Sequence, residues 1–313
     1  MKTASHELPQ QSEVKTSETP KLRPIRRLRE LWSYREILAN LTRKEVKVKY
    51  TSSVLGAAWS MLNPILALLV FWLVFGVVLP NTSAPDFPVY LLTGLLAWNL
   101  FGGSLTLSAR SVVENANLVK KVAFPREILP LASIGASLVD FVLQAIVLAV
   151  FMAILQHAFF GVNFALFPLA LLALLTFTAA LSLWVGALNV RYRDVQHILN
   201  LALLMWFWFT PVVYPSGFLM WKAGHHAFLG INLSVVYQVL NPVADIVMGF
   251  QRALYANVNC PPVINAQHQC TLYDVSVGHQ VLVLAGVVAG SLVLLYLFWR
   301  TFFRHSGDFA EEL

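Results

Sequence analysis

The sequence predicts an all-α integral membrane protein of six transmembrane helices, and three observations carry that prediction. Of the 313 residues, 58% are hydrophobic and only 12% charged, with mean hydropathy +0.66, whereas soluble domains carry roughly 25% charged residues. The apolar residues come in uninterrupted runs of about 20, the length that crosses ~30 Å of hydrocarbon as a helix. A membrane β-barrel would instead show alternating segments of about ten residues, and none is seen. The basic residues are also sorted: twelve of the 22 Lys and Arg precede residue 57, a basic arm suited to the positive-inside rule and to anionic headgroups. The net charge of +6 therefore points to membrane lipids and to no nucleic acid, since no basic folded surface with readout residues accompanies it.

In chain order, residues 1–27 are polar and rich in Ser, Thr, Gln, Glu and Pro, a composition that predicts a disordered tail. They show no cleavable signal peptide, so the first span is expected to direct insertion itself. Over residues 28–50, Leu31, Tyr34, Ile37, Leu38, Leu41 and Val48 share one arc of a helical wheel, with Arg29, Glu36, Arg43 and Lys47 mostly opposite. This is an amphipathic helix, lying in the membrane interface or packed on a partner. The membrane domain is expected over residues 51–305, with spans at 57–79, 89–109, 128–153, 166–190, 195–214 and 280–303, followed by a tail at 306–313.

Basic residues in the connections set the orientation. The loop after the second span holds Arg110, Lys120, Lys121 and Arg126, the loop after the fourth Arg191 and Arg193, and the tail region Arg300 and Arg304. The connections after the first and third spans hold none, and the long one after the fifth only Lys222 and Arg252. Both termini are thus expected in the cytosol, together with the charged island at 114–130. The outer segment, about 215–279, contains SVVYQVLNPVADIVMGFQRALY, too apolar for plain solvent and broken at Asn241 and Pro242. It reads as two short helices re-entering the bilayer, where freed backbone groups must meet protein or water, or as one amphipathic surface helix. Cys260 and Cys270 fall in the same segment, on the oxidising side where a disulfide is plausible; spacing alone does not prove it.

No enzyme motif emerges. None of the sixteen glycines is followed by Lys, so the phosphate-cradling GxxxxGK[ST] loop is absent. The adjacent His225 and His226 point apart and lack a second ligand pair, so no metal site is expected. A glycosyltransferase or acyltransferase needs an acid, base or metal-ligand set at the membrane face, where Glu114, Glu127 and Asp194 are almost the whole supply. A gradient-driven carrier would usually hold several intramembrane acids or histidines, and Asp140 stands alone. Ser133, Ser137, Asp140 and Gln144 form one polar stripe on the third span, either part of a translocation path or a structural seam. Thr178, Ser182 and Gly186 recur every four residues on the fourth span, the spacing of close helix packing. On the fifth, Met205, Trp206, Phe207, Trp208 and Phe209 precede Pro211 and Tyr214. They suit an interfacial aromatic belt or a sugar path built of aromatic faces.

Six ordered stretches then become recognisable. They are YTSSVLGAAWSMLNPILALLVFWLVFG, GLLAWNLFGGSL, ENANLVKKVAFPREILP, NVRYRDVQHIL, FTPVVYP and NPVADIVMGFQRAL. Over about residues 30–305 the chain resembles the permease subunits of ABC-2-type exporters of polysaccharides and polyol phosphates, which serve O-antigen, capsule, teichoic acid and galactan export. The resemblance implies a homodimer of six-span permeases in the bacterial cytoplasmic membrane. Two copies of an ABC nucleotide-binding subunit would hold ATP and Mg, leaving no cofactor on this chain. The cargo would be a lipid-linked glycan; an ABC-2 permease for a small hydrophobic drug or lipid is the alternative.

By position, the same resemblance makes the island a coupling helix, with Asn117, Leu118, Lys120, Lys121, Phe124 and Arg126 as its contacts. It makes Asn241 and Pro242 the turn of an outer gate. Arg43, Lys47 and Lys49 would attract the lipid pyrophosphate or serve only to retain the arm inside. The substrate path would use Trp206, Phe207, Trp208, Phe209, Tyr214 and Asp140.

Overall fold

The computed structural model describes residues 24–51, 56, 58–74, 86–157, 161–224, 227–228, 231–255, 272, 275–307 and 309–313. Residues 1–23, Cys260 and Cys270 lie outside them, and with these the expected disulfide and most of the expected tail, whose last residues, 24–27, are helical instead. The helices are α1 Pro24–Ser33, α2 Arg35–Tyr50, α3 Ala58–Trp72, α4 Phe87–Glu114, α5 Ala116–Lys121, α6 Ile128–Ile154 and α7 Phe167–Arg191. They continue with α8 Val195–Phe209, α9 Ser216–Gly224, α10 Leu233–Leu240, α11 Pro242–Leu254, α12 Val277–His305 and α13 Phe309–Glu312. A 3-10 turn, Val162–Leu166, leads into α7. A two-residue antiparallel ladder pairs β1 Ala227–Phe228 with β2 Ile231–Asn232.

Among the described residues, four helices are long and apolar enough to cross a bilayer: α4, α6, α7 with its leading turn, and α12, at 27 to 29 residues each. At 1.5 Å per residue they reach about 40 Å, enough for ~30 Å of hydrocarbon. Of the predicted first span, the described residues hold the 15-residue apolar helix α3, and its expected end at 75–79 lies outside them. The predicted fifth span is a 15-residue apolar helix, α8, about 22 Å long. The fifth stops at Phe209 rather than continuing to Tyr214, because Pro211 lacks a backbone N–H and disfavours helix at the residue before it.

Helix α4 is the centre, packed against α6, α7, α11, α8 and α3, with Tyr90, Leu91, Leu96, Leu100 and Phe101 almost fully buried. Helix α7 crosses α4 closely at Gly186, where a Cβ would lie 3.2 Å from the Ser108 carbonyl oxygen; the small-residue spacing on this helix serves that approach. Helix α11 is inserted beside α4 and α7 with Val243 to Ala253 buried, so it is not a surface helix. The α10–α11 pair bends by 96° at Asn241.

A second apolar cluster sits at the opposite end, where Leu41, Val112, Val119, Ile128, Leu129, Leu183, Trp299, Phe302 and Phe309 meet. The amphipathic arc is spent here: Leu31, Tyr34, Ile37 and Leu38 pack on this cluster. The helix begins at Pro24, breaks at Tyr34, and lies across one end of its own bundle. The closest approach is at Gly135 of α6, where a Cβ would lie 2.7 Å from Thr42 Oγ1. The C-terminal segment also packs back, with Phe309 fully buried and its ring 5.3 Å from that of Phe302.

Candidate functional site: the coupling face and the aromatic break

The charged island folds as a short shelf. Helix α4 ends at Glu114, and buried Asn115 turns the chain, donating from Nδ2 to the Ser111 carbonyl at 2.7 Å. Lys44 Nζ of α2 donates to Asn115 Oδ1 at 2.6 Å. Helix α5 then presents Asn117, Lys120 and Lys121 outward, while Val119 is buried. Leu118 and Phe124 turn into the second apolar cluster. Arg126 is half-buried, and its Nη1 has no hydrogen-bond partner among the described residues. Burial lowers the pKa of its guanidinium, and the neighbouring Glu127 carboxylate opposes that shift. Of the six expected contacts, Asn117, Lys120 and Lys121 form an open surface; Leu118 and Phe124 support it from beneath.

Directly after the shelf comes a group that the sequence reading missed. Glu127, 1% exposed, accepts from Arg27 Nε at 2.9 Å and Nη2 at 2.8 Å, and from Trp299 Nε1 at 3.2 Å. Arg27 also reaches Glu30 at 2.7 Å and lies 4.9 Å over the Phe303 ring. Burial pulls the Arg27 pKa down, but the bonds to Glu127 and Glu30 outweigh it and leave it raised. Three segments meet at this carboxylate: α1, the α5–α6 connection and the end of α12. In sequence Arg27 is one of twelve early cations, and nothing local distinguishes it. Glu127 was legible only as an acid at the start of a helix, where the helix dipole favours it.

The stripe on α6 resolves into hydrogen-bonded pairs. Asp140 accepts from Lys49 Nζ at 2.6 Å, from Ser60 Oγ at 2.8 Å and from the Tyr50 hydroxyl, tying α2 to α3 and α6. Ser133 and Ser137 donate back to the carbonyls of Leu129 and Ser133, and Gln144 accepts from Asn99 at 2.8 Å. A cleft of about 400 Å³ opens alongside, lined by Lys49, Tyr50, Thr106, Arg110, Glu114 and Asp140. Lys49 is thus engaged by Asp140. Arg43 and Lys47 line a separate depression of about 440 Å³ with Thr42, Tyr50 and Thr51.

The fifth-span aromatics divide between two faces of α8. Trp206 packs edge-on to Phe101, with ring centroids 5.2 Å apart, and Phe207 to Trp98 at 5.4 Å. Trp208 and Phe209 are exposed and continue a stripe through Ile198, Leu201, Leu204 and Met205. Tyr214 donates to the Trp208 carbonyl at 3.0 Å. These five side chains and Asp140 do not form one lining, because Trp206 and Phe207 face inward and Asp140 belongs to the α2–α3–α6 group.

Inward-facing Trp206 meets the helix break. Its Nε1 donates to Asn241 Oδ1 at 2.8 Å, and the same oxygen accepts from the backbone N–H of Ala244 at 3.2 Å, capping α11. Asn241 Nδ2 donates to the Phe209 carbonyl at 3.2 Å and to Thr210 Oγ1 at 3.3 Å. One amide therefore satisfies the groups that both chain breaks expose. Pro242 occupies the first position of α11, where its missing N–H costs nothing. Asp245, not singled out from sequence, is 2% exposed and accepts from Gln238 at 3.1 Å.

Comparison with known proteins gives this arrangement its context. Residues 37–228 match the family described as ABC-2 type transporter. The chain belongs to the ABC-2 type transporter family. Among its relatives is the O-antigen export system permease protein RfbA of Myxococcus xanthus, 36% identical over 232 residues, which span 74% of this chain and 85% of that protein. Two proteins of the same description from Klebsiella pneumoniae are 30% identical over 227 residues and 28% identical over 243. They cover 71% and 76% of this chain and 81% and 85% of their own lengths. This ABC-2 chain is accordingly a multi-pass membrane protein, and the matched region contains α3 through α8 with most of α2, and with them the shelf, Asp140 and the aromatic helix.

Proposed function

We propose that this chain is the permease subunit of an ATP-driven exporter that moves a lipid-linked polysaccharide outward across the bacterial plasma membrane. The observation that carries the reading is the likeness, across most of both chains, to permeases named for O-antigen export. A separate nucleotide-binding subunit supplies ATP hydrolysis and docks on the shelf through Asn117, Lys120 and Lys121, which stand exposed on a rigidly backed helix. Both termini lie in the cytosol, as the distribution of Lys and Arg favours. Helices α3 and α8 complete six crossings.

Two copies of the chain face one another through α3 and α8. Each carries an exposed apolar stripe: Trp59, Leu66, Leu69, Val70 and Leu73 on one, and Ile198, Leu201, Met205, Trp208 and Phe209 on the other. Trp208 and Phe209 line the glycan path, since they, rather than Trp206 and Phe207, are free to do so. The bent α10–α11 pair is its outer gate. Arg43 and Lys47 draw the carrier's pyrophosphate to α2, with the hydroxyls of Thr42 and Tyr50 beside them.

The experiment is charge reversal of the exposed shelf, Lys120→Glu with Lys121→Glu, in cells that carry the adjoining ATPase subunit. Surface polysaccharide is expected to disappear while the chain remains in the membrane at its normal level. Unchanged export in that variant removes the docking assignment. Failure of an ATPase subunit to copurify with the unaltered chain removes the exporter reading itself.

A further inference from the structure

We propose that Arg27 and Glu127 are positioning residues that lock α1–α2 and the coupling segment into one mechanical unit, so that a displacement applied at α5 moves α2. The inference rests on the exporter reading and adds to it the route by which the partner's motion leaves the docking shelf. Helix α5 has only six residues, too few to hold its own angle by helix packing. The chain fixes it from both flanks instead. Ahead of it, Lys44 of α2 bonds Asn115; behind it, Arg27 of α1 bonds Glu127.

The Arg27 fork matters because two parallel N–H bonds to one carboxylate fix orientation as well as distance. Glu127 has little freedom to swing away, since it is 1% exposed and also accepts from Trp299. A route onward exists at the far end of α2. There Lys49 and Tyr50 hold Asp140 of α6, and Tyr50 also meets Ser60 of α3 at 2.6 Å. Motion of the shelf therefore has a continuous hydrogen-bonded course from α5 to α2 and from α2 to α3, the helix whose exposed face borders the proposed path.

The test uses the full chain with its ATPase subunit in lipid nanodiscs, with Cys260 and Cys270 replaced by Ser. Spin labels are placed at Trp32→Cys on α1 and Val122→Cys beside α5, both exposed positions. The label-to-label distance should be narrowly distributed with Arg27 present and broad in Arg27→Ala; an equally narrow distribution in that variant overturns the proposal. The second readout is polymer exported per ATP hydrolysed. Arg27→Ala and Glu127→Gln should lower this ratio about ten-fold, within the range that changes along a coupling network produce. Arg27→Lys, which keeps the charge and loses the fork, should fall between. The exchange Arg27→Glu with Glu127→Arg should restore most of the ratio. If export and hydrolysis fall together at a constant ratio, the pair only holds the fold and the proposal fails. A wild-type complex that hydrolyses no ATP sinks the exporter reading, whereas the label distances decide the clasp without it.

Discussion

The shelf end of the bundle and the helix break at Asn241 are tied by opposite chemistries. At the shelf end the ties between elements use ionised groups: Arg27 with Glu127, Lys44 with Asn115, and Lys49 with Asp140. At the break they are neutral: Trp206, Phe209 and Thr210 with Asn241, Tyr90 with the Tyr214 carbonyl, and Gln251 with the Pro211 carbonyl. Charge is expensive where water is excluded, so amide, indole and phenol groups serve deep in the bundle. Near the headgroups long cationic side chains keep partial contact with water. The difference teaches that charged ties are kept where water still reaches them, and neutral ones where a broken backbone must be satisfied inside the bundle.

The largest effect is expected where the neutral network has a single hub. Asn241→Leu removes the α11 cap, worth about 1 kcal/mol, and strands the Trp206 indole N–H, at roughly 1–3 kcal/mol for an unsatisfied group, while the Phe209 carbonyl keeps the Tyr237 hydroxyl. A destabilisation of about 3 kcal/mol follows from these together, read as a lowered unfolding midpoint in detergent. It should not change with ionic strength, because no charge is involved. Trp206→Phe keeps the ring contact with Phe101 and leaves Asn241 Oδ1 its bond to Ala244, so it should cost only about 1 kcal/mol. Equal losses in the two variants would show that the indole, and not the amide, holds the break.

Much of this contrast could be read from sequence, and the missing parts share a cause. The long spans, the amphipathic arc at Leu31 to Leu41 and the break at Asn241 and Pro242 follow from periodicity and backbone chemistry, which are local. What periodicity could not supply was the occupant of each face. It marked the arc as apolar without saying that Val119, Ile128 and Phe309 of the same chain cover it. It marked Trp206 to Phe209 as aromatic without the rotation that turns two rings inward and two outward. The Arg27–Glu127 pair joins residues 100 apart in sequence, and no local pattern selects one arginine from twelve early cations. Asp140 was legible as an acid that must meet protein or water, but its partners on α2 and α3 were not.

On the charged side the effects should be smaller and dependent on salt. In the Asp140 pair the Lys49 side chain is 47% exposed and the Asp140 side chain 16%, so solvent screens much of the attraction. Asp140→Asn removes the charge yet leaves an amide oxygen for the Tyr50 and Ser60 hydroxyls, and should cost no more than about 1 kcal/mol. That cost should shrink at ~1 M salt, where the screening length is about 3 Å. A loss as large as that of Asn241→Leu, insensitive to salt, would erase the distinction between the two ends.

The smallest effect sharpens the comparison within the charged end itself. Arg110 and Glu114 lie one helical turn apart on α4, 3.5 Å from atom to atom, with side chains 44% and 48% exposed. An exposed pair of this spacing contributes about 0.3 kcal/mol, so Arg110→Ala should leave the unfolding midpoint nearly unchanged. Yet Arg110 Nε is shielded from water without a hydrogen bond among the described residues, and the side chain borders the cleft that holds Lys49 and Asp140. Stability and export can therefore respond differently to one substitution. If Arg110→Ala spares the midpoint but slows export, the guanidinium acts on what enters the cleft; if neither changes, the α4 pair is only part of the solvated face.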